Sequence, residues 1–174
     1  NDNKSEEHEI NYRQFNKKLE LLNQILSLIS DINQASDEKE VKDCIPALLQ
    51  YTGEYTDADR VYIFELMSEK QDYYSNTFEW CREGIIPQID NLIRISADSM
   101  PVWHEKFLRG ETIIIHDLEK IRETMPSEYD ILKVQDIHSL LVLPLFANTQ
   151  LSGFIGLDNP ELVNPGVYIS LLSN

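Results

Sequence analysis

Along the first part of the chain the apolar residues fall at helical spacing. Tyr12, Phe15, Leu19, Leu22, Leu26 and Ile29 are separated by 3, 4, 3, 4 and 3 positions, the a/d alternation of a coiled-coil seam. A second stripe, Leu21, Ile25, Leu28 and Ile32, runs along another face. The pattern predicts one helix over residues 8–33 with two faces to bury. One faces the body of its own chain; the other starts at Tyr12, well ahead of it, and calls for a partner. A single wide stripe facing one core is the simpler alternative.

Ser36 is expected to open a second helix, with Asp37 and Glu38 in the first turn, where negative charge suits the helix dipole. Val41, Ile45, Leu48 and Thr52 share one face. Pro46 is expected to kink or split this helix, and Gly53 to end it. The period then changes. Residues 59–67, DRVYIFELM, are β-branched and aromatic and read as a strand, and residues 72–82 read as its hairpin partner across Ser68–Gln71. Residues 83–95 read as a loop ending in a short strand. Met100–Pro101 starts a short helix that carries Trp103 and Phe107 and stops at Gly110. Thr112–His116 is a further strand. Ser127, with Asp130 three residues on, reads as the cap of another short helix. Residues 139–147 and 151–157 form a second hairpin around Asn148–Gln150. Pro165 opens a last helix with Val167, Tyr168, Leu171 and Leu172 as its apolar residues. Hairpins flanking the strand series, with short helices in the crossovers, predict an α+β fold. The expected form is an antiparallel sheet of about six strands, with terminal helices on one face and crossover loops and short helices on the other.

Several separate stretches carry a family resemblance. The strand pair SLLVLPLFANTQLSGFIGLDNP resembles the closing hairpin of GAF domains, and Ala58-Asp59-Arg60-Val61-Tyr62-Ile63-Phe64-Glu65 resembles their opening strand. The run Asn76-Thr77-Phe78-Glu79-Trp80-Cys81, followed by Gly84 and Pro87-Gln88-Ile89-Asp90-Asn91, is similar to a subgroup found upstream of bacterial diguanylate cyclase, cyclic-di-GMP phosphodiesterase or histidine kinase domains. The resemblance covers roughly residues 36–174. It implies a helical dimer layer on one sheet face and a small-molecule pocket on the other. The expected division is a dimerisation and signalling helix over 1–35, a sensor domain over 36–164, and the start of an output helix over 165–174, with an output domain after Asn174.

Candidate pocket residues follow from this layout. Tyr62, Phe64, Tyr74, Phe78, Trp80, Trp103 and Phe107 supply aromatic surface that either lines a cavity or forms ordinary core. Alternation sends Tyr62 and Phe64 to one face and Val61 and Ile63 to the other, without saying which meets the pocket. Asn76, Glu79, Arg82 and Asp90 are polar groups in or beside an apolar strand, suited either to orient a ligand or to face solvent. Tyr62, Phe64, Asn76, Glu79, Trp80, Trp103 and Phe107 are the expected ligand-binding set, with Glu79 and Trp80 its leading pair. The site is placed between the sheet and the Trp103–Phe107 helix, with a cavity of at least about 300 Å³. Residues 83–111 join two strands by a connection far longer than the usual roughly 2–6 residues, which suits a segment that encloses something.

Other chemistry is poorly supplied. Cys81 precedes Arg82, which favours thiolate, but Cys44 falls on a separate helix and no Cys-His pair of the bilin-attaching kind occurs. His8, His104, His116 and His138 have no metal-ligand spacing. His104 is the one histidine expected on the pocket side, and His116-Asp117 is a lone dipeptide. Asn16-Lys17 stands in the wrong helix for a cyclic-nucleotide signature. Gly153 and Gly156 suit close packing or a bulge rather than a phosphate loop. The sequence identifies no cofactor.

Bulk properties narrow the partners. Thirty acidic against fifteen basic residues give a formal net charge of −15, which disfavours nucleic acid and anionic membranes. No apolar run is long enough to span a bilayer, the start NDNKSEEHEI lacks a signal-peptide core, and two cysteines fit a reducing compartment. A cytoplasmic protein is expected; the missing starting Met fits either a piece of a longer chain or Met removal or processing. The expected role is a non-enzymatic, dimerising, small-molecule-sensing input module, with Leu19, Leu22, Leu26 and Ile29 in the homodimer seam. A scaffold with a self-filled pocket is the alternative, followed by a Cys81-dependent methionine-sulfoxide reductase.

Overall fold

The computed structural model describes residues 2–161. The expected helix from Pro165, and with it the 165–174 output segment, lies outside the described residues. The elements are α1 (Asp2–Gln34), α2 (Glu38–Thr56), β1 (Arg60–Ser68), β2 (Asp72–Cys81), β3 (Ile95–Ser96), α3 (Pro101–Leu108), β4 (Ile113–Ile115), α4 (Pro126–Leu132), β5 (Leu140–Ala147) and β6 (Gln150–Asp158). Short 3-10 turns at Ala97–Ser99, Leu118–Ile121 and Lys133–Gln135 fill the crossovers. The strands form one antiparallel sheet in the order β3-β2-β1-β6-β5-β4. Its centre joins the first hairpin to the last, so Arg60 pairs with Asp158 and Tyr62 with Gly156.

Each sheet face has its own apolar layer. Val61, Leu141, Leu143, Ile155 and Leu157 pack with Leu49 of α2, flanked by Ile63, Phe78 and Trp80. On the opposite face Tyr62, Phe64, Tyr74, Leu140, Val142 and Phe154 pack with Trp103 and Phe107 of α3 and Tyr129 and Leu132 of α4. Period-two alternation therefore assigns the faces: Tyr62 and Phe64 look toward the crossover helices, Val61 and Ile63 toward α2.

The two stripes of α1 part company only in part, since Leu22 and Ile29 of the first seam are half-buried. Leu21 and Ile25 are buried, with Leu28 and Ile32 half-buried. Tyr12, Phe15, Leu19 and Leu26 of the first seam are exposed.

Four local expectations are corrected. First, α2 opens at Asp37 rather than Ser36. The Asp37 carboxylate accepts from the Glu40 N–H at 2.9 Å, while Ser36 donates its N–H and hydroxyl to the Glu40 carboxylate. Second, Pro46 does not split α2, and third, Gly53 does not end it. The helix runs on to Thr56 and closes at Asp57, whose left-handed backbone (φ 52°) donates its N–H to the Gly53 carbonyl. Gly53 is instead a packing position: an added Cβ would lie 2.0 Å from the Trp80 ring. Fourth, α4 starts with Pro126 at its first position and has no side-chain cap. Asp130 pairs with Lys133 at 2.8 Å rather than completing a box with Ser127.

Candidate functional site

One irregularity in β2 shapes the crossover face. The β1–β2 register steps from Ile63↔Phe78 to Phe64↔Asn76, leaving Thr77 as an extra residue. Asn76 and Glu79 are three apart and would point to opposite faces of a regular strand. The bulge turns both toward the crossover side, where Asn76 Nδ2 donates to Glu79 Oε2 at 3.2 Å. Glu79 then clasps the following loop: its Oε1 accepts the backbone N–H of Gln88 at 2.8 Å and of Ile89 at 3.2 Å. The Asn76 N–H donates to the Leu92 carbonyl at 3.1 Å, so the loop runs along β2.

Beneath this clasp lies a narrow cavity of about 30 Å³ lined by Arg60, Tyr62, Phe64, Asn76, Glu79 and Trp103, with Leu92, Met100, Leu132 and Phe154 completing its apolar wall. That is room for a water or two, not the expected 300 Å³. Arg60, Gln88 and Gln135 are shared with an outer cleft of about 210 Å³, whose remaining walls are Asp59, Gly84, Ile85, Ile86, Val134 and Asp136. The site is thus a tight inner chamber adjoining a wider cleft between the 84–88 loop and the 134–136 turn. Ile86 and Val134 at that mouth are 72% and 77% exposed.

Three buried polar atoms of residues that line this chamber have no partner among the described residues: Arg60 Nε, Asn76 Oδ1 and Trp103 Nε1. Their residues are only 6%, 6% and 3% exposed. Buried polar atoms are nearly always hydrogen-bonded, and an unmade bond costs about 1–3 kcal/mol. Here three come from β1, β2 and α3 and border one space.

Arg60 and Tyr62 are also tied to Asp158 and Gln135. Arg60 Nη1 donates to Asp158 Oδ2 at 3.1 Å, Arg60 Nη2 to the Gln135 carbonyl at 2.9 Å, and the Tyr62 hydroxyl to Asp158 Oδ1 at 2.7 Å. Burial pushes the Asp158 carboxyl up to about 7, against the opposing pull of the Tyr62 hydrogen bond and the Arg60 charge. Burial, followed by the Asp158 charge, pushes the Tyr62 phenol well above its ordinary range. The Cys81 thiol is pushed up to about 12 by burial and then by Glu79, whose Oε1 lies 3.6 Å from Sγ. Arg82 does not offset this; its guanidinium donates to the carbonyls of Asp57 and Ala58.

The structure thus brings together Tyr62, Phe64, Asn76, Glu79 and Trp103 from the expected set and separates the other two. Trp80 follows Glu79 on the strand, so it faces the other way and packs on Gly53 of α2. Phe107 is fully buried behind the chamber wall, stacked on Phe154 at 4.9 Å. Asp90 is exposed. His104 Nδ1 lies 2.6 Å from the Tyr74 hydroxyl and does not border the chamber. Arg60, Gln88, Gln135 and Asp158 were missed from the sequence. An arginine opening a strand and an aspartate closing one look like ordinary strand-end charges until the sheet pairs them. Glu128 was missed too. It is buried and caps α3, with Oε1 accepting from the N–H groups of Val102 at 2.7 Å and Trp103 at 3.1 Å. Among the described residues no cluster of three His, Cys, Asp or Glu could hold a metal, and no helix is long and apolar enough to cross a membrane.

The GAF domain family model matches residues 40–165. The chain belongs to the GAF domain family. The match takes in the whole sheet, the bulge and the chamber of this GAF domain. A curated relative, the methanogenesis regulatory histidine kinase FilI of Methanothrix harundinacea, is 32% identical over 124 residues, which is 69% of this chain and 14% of that protein. The chain thus spans about one seventh of the length of that relative. Among solved structures, the chromophore-binding domain of the Stigmatella aurantiaca bacteriophytochrome aligns with a TM-score of 0.60 at 16% identity, covering 81% of this chain and 51% of that one. The Thermosynechococcus elongatus PixJ GAF domain in its blue-light-absorbing form aligns with a TM-score of 0.56 at 20% identity, covering 71% and 73%. Both share the fold of this GAF domain.

Proposed function

We propose that this GAF domain is the sensory input module of a larger signalling protein, and that a small molecule held at Arg60, Asn76 and Trp103 is its input. The observation that carries this reading is the set of three unpaired, buried polar groups from three separate elements around one chamber. A ligand supplies the bonds they lack. The similarity to a histidine kinase supports a kinase-type output, and the exposed seam of Tyr12, Phe15, Leu19 and Leu26 on α1 supports a homodimer. The domain itself is read as non-enzymatic: a thiol held up to about 12 is a poor nucleophile near neutral pH.

A covalently held bilin does not fit. Cys81 stands next to Arg82 rather than a histidine, and pockets for molecules of drug size run to about 300–1,000 Å³. The ligand is smaller, or reaches into the outer cleft. The link to the output runs through Asp158. It closes β6, binds Arg60 and Tyr62 at the chamber wall, and lies three residues before Glu161, whose N–H donates to the Thr56 carbonyl at the end of α2. A ligand that favours one arrangement of Arg60 biases this connection only by its difference in affinity between the two arrangements.

The 30 Å³ chamber favours one rival, a dimerising scaffold whose pocket is filled by its own side chains. Thermal unfolding in a dialysable small-molecule extract separates them. On the sensing reading the wild-type midpoint rises and that of Asn76→Leu does not. Equal midpoints with and without extract support the scaffold.

A further inference from the structure

From the donors and acceptors left free in the chamber we infer that the ligand is an uncharged molecule with a terminal amide head, C(=O)–NH, on a flat apolar body. This rests on the sensory reading above and adds the chemical class.

Arg60 has five N–H bonds; those of Nη1 and Nη2 are directed at Asp158 and Gln135, and the Nε–H remains. Trp103 offers its indole N–H, which can only donate. The Asn76 amide is oriented by its neighbour: the Glu79 carboxylate accepts, so Nδ2 faces it and Oδ1 is left as an acceptor. The unpaired buried atoms of these chamber-lining residues are therefore two donors and one acceptor.

Of the three planar heads compared, amide, carboxylate and amidinium, the amide alone matches: its carbonyl has two lone pairs for the two donors, and its N–H supplies Asn76 Oδ1. A carboxylate has no proton for Asn76 Oδ1. An amidinium has no lone pair for Arg60 or Trp103. Charge selects the same way. The single guanidinium of the lining is already paired with Asp158, Glu79 lines the chamber, and Asp59 and Asp136 stand at the mouth, so an anion meets three lining carboxylates. The apolar body follows from the cleft. Ile85, Ile86 and Val134 wall it, two of them strongly exposed, and covering such side chains is favourable.

Benzamide, benzoate and benzamidine test this with one shape and three head groups: neutral, anionic and cationic near neutral pH. The protein has only two tryptophans, and they lie on opposite sheet faces. Their indole N–H resonances in nitrogen-15-labelled protein, assigned with Trp80→Phe, give a probe and an internal control. Benzamide is expected to move the Trp103 signal saturably, leave Trp80 in place, and bind at least about tenfold more tightly than either analogue. Asn76→Leu is expected to abolish that preference. Saturable binding of benzoate or benzamidine in place of benzamide overturns the amide assignment and leaves the sensory reading standing. Failure of all three to move Trp103 overturns the amide assignment as well. The extract experiment then decides the sensory reading independently. Equal movement of Trp80 and Trp103 marks unspecific binding and overturns the assignment too.

Discussion

Gly156→Ala is the smallest change that reaches the site through the sheet. A Cβ at residue 156 would stand 2.2 Å from Tyr62 Cε2, 2.5 Å from Cζ and 2.6 Å from the hydroxyl oxygen. Carbon contacts settle at about 3.5–4.0 Å, so the ring has to give by more than an ångström. It has little freedom to do so. The residue is buried, its edge packs on Phe64 with centroids 5.5 Å apart, and its hydroxyl is bonded to Asp158. Overpacking of this kind costs about 1–3 kcal/mol. Loss of a hydrogen bond to a charged group adds about 1.5–3 kcal/mol. Together they predict a loss of about 2.5–6 kcal/mol, a large share of the roughly 5–15 kcal/mol that holds a domain folded. With a urea slope of about 2 kcal/mol/M, the midpoint falls by about 2 M. The assay is equilibrium urea unfolding of wild type, Gly156→Ala, Tyr62→Leu and the double variant. Leucine lacks the ring atoms that clash. In that background the cost of the alanine is expected to fall below about 1 kcal/mol, as two residues in contact should couple. An alanine equally costly in both backgrounds would refute the reasoning.

Other predictions follow from different parts of the molecule. Leu22→Glu with Leu26→Glu places charge in the outer seam of α1 and is expected to convert a dimer to a folded monomer; an unchanged sedimentation profile speaks against the proposed interface. Asp158, with its carboxyl raised from the ordinary 3.8 to about 7, binds more proton folded than unfolded between those values. Its contribution is therefore fully present below about pH 4 and lost as pH rises through about 7. Between about pH 5 and about pH 8 the wild type should lose stability relative to Asp158→Asn, and the opposite trend in urea midpoints would contradict the assignment. Cys81, held up to about 12 by burial and by Glu79, should alkylate far more slowly than Cys44 at mildly alkaline pH, and the double Cys→Ser variant should keep its fold and ligand response. Rapid modification of Cys81 in the folded protein would show the thiol to be activated.

Much of the architecture is legible in periodicity. The 3-4 spacing of α1 and the two hairpins identify the elements, whereas the 83–111 connection is broken by β3 at Ile95–Ser96 and encloses about 30 Å³ rather than the expected roughly 300 Å³. What periodicity misjudges is where one residue answers to a distant one. Gly53 reads as a helix stop because nothing nearby shows that Trp80 needs the space above it. Trp80 reads as a partner of Glu79 because the family resemblance carries both, yet adjacency in a strand means opposite faces. Asn76 and Glu79 meet only through the Thr77 bulge, which strict alternation cannot foresee. Arg60 and Asp158 lie 98 positions apart, and only the central β1–β6 pairing makes them one buried group.

Native mass spectrometry of freshly purified wild-type protein and of Asn76→Leu bears most directly on the central claim. A small molecule is expected to be carried one per chain by the folded wild type, on a dimer, and lost from Asn76→Leu. Bare wild-type chains, or a bound mass that Asn76→Leu keeps undiminished, would contradict a sensory site at Arg60, Asn76 and Trp103.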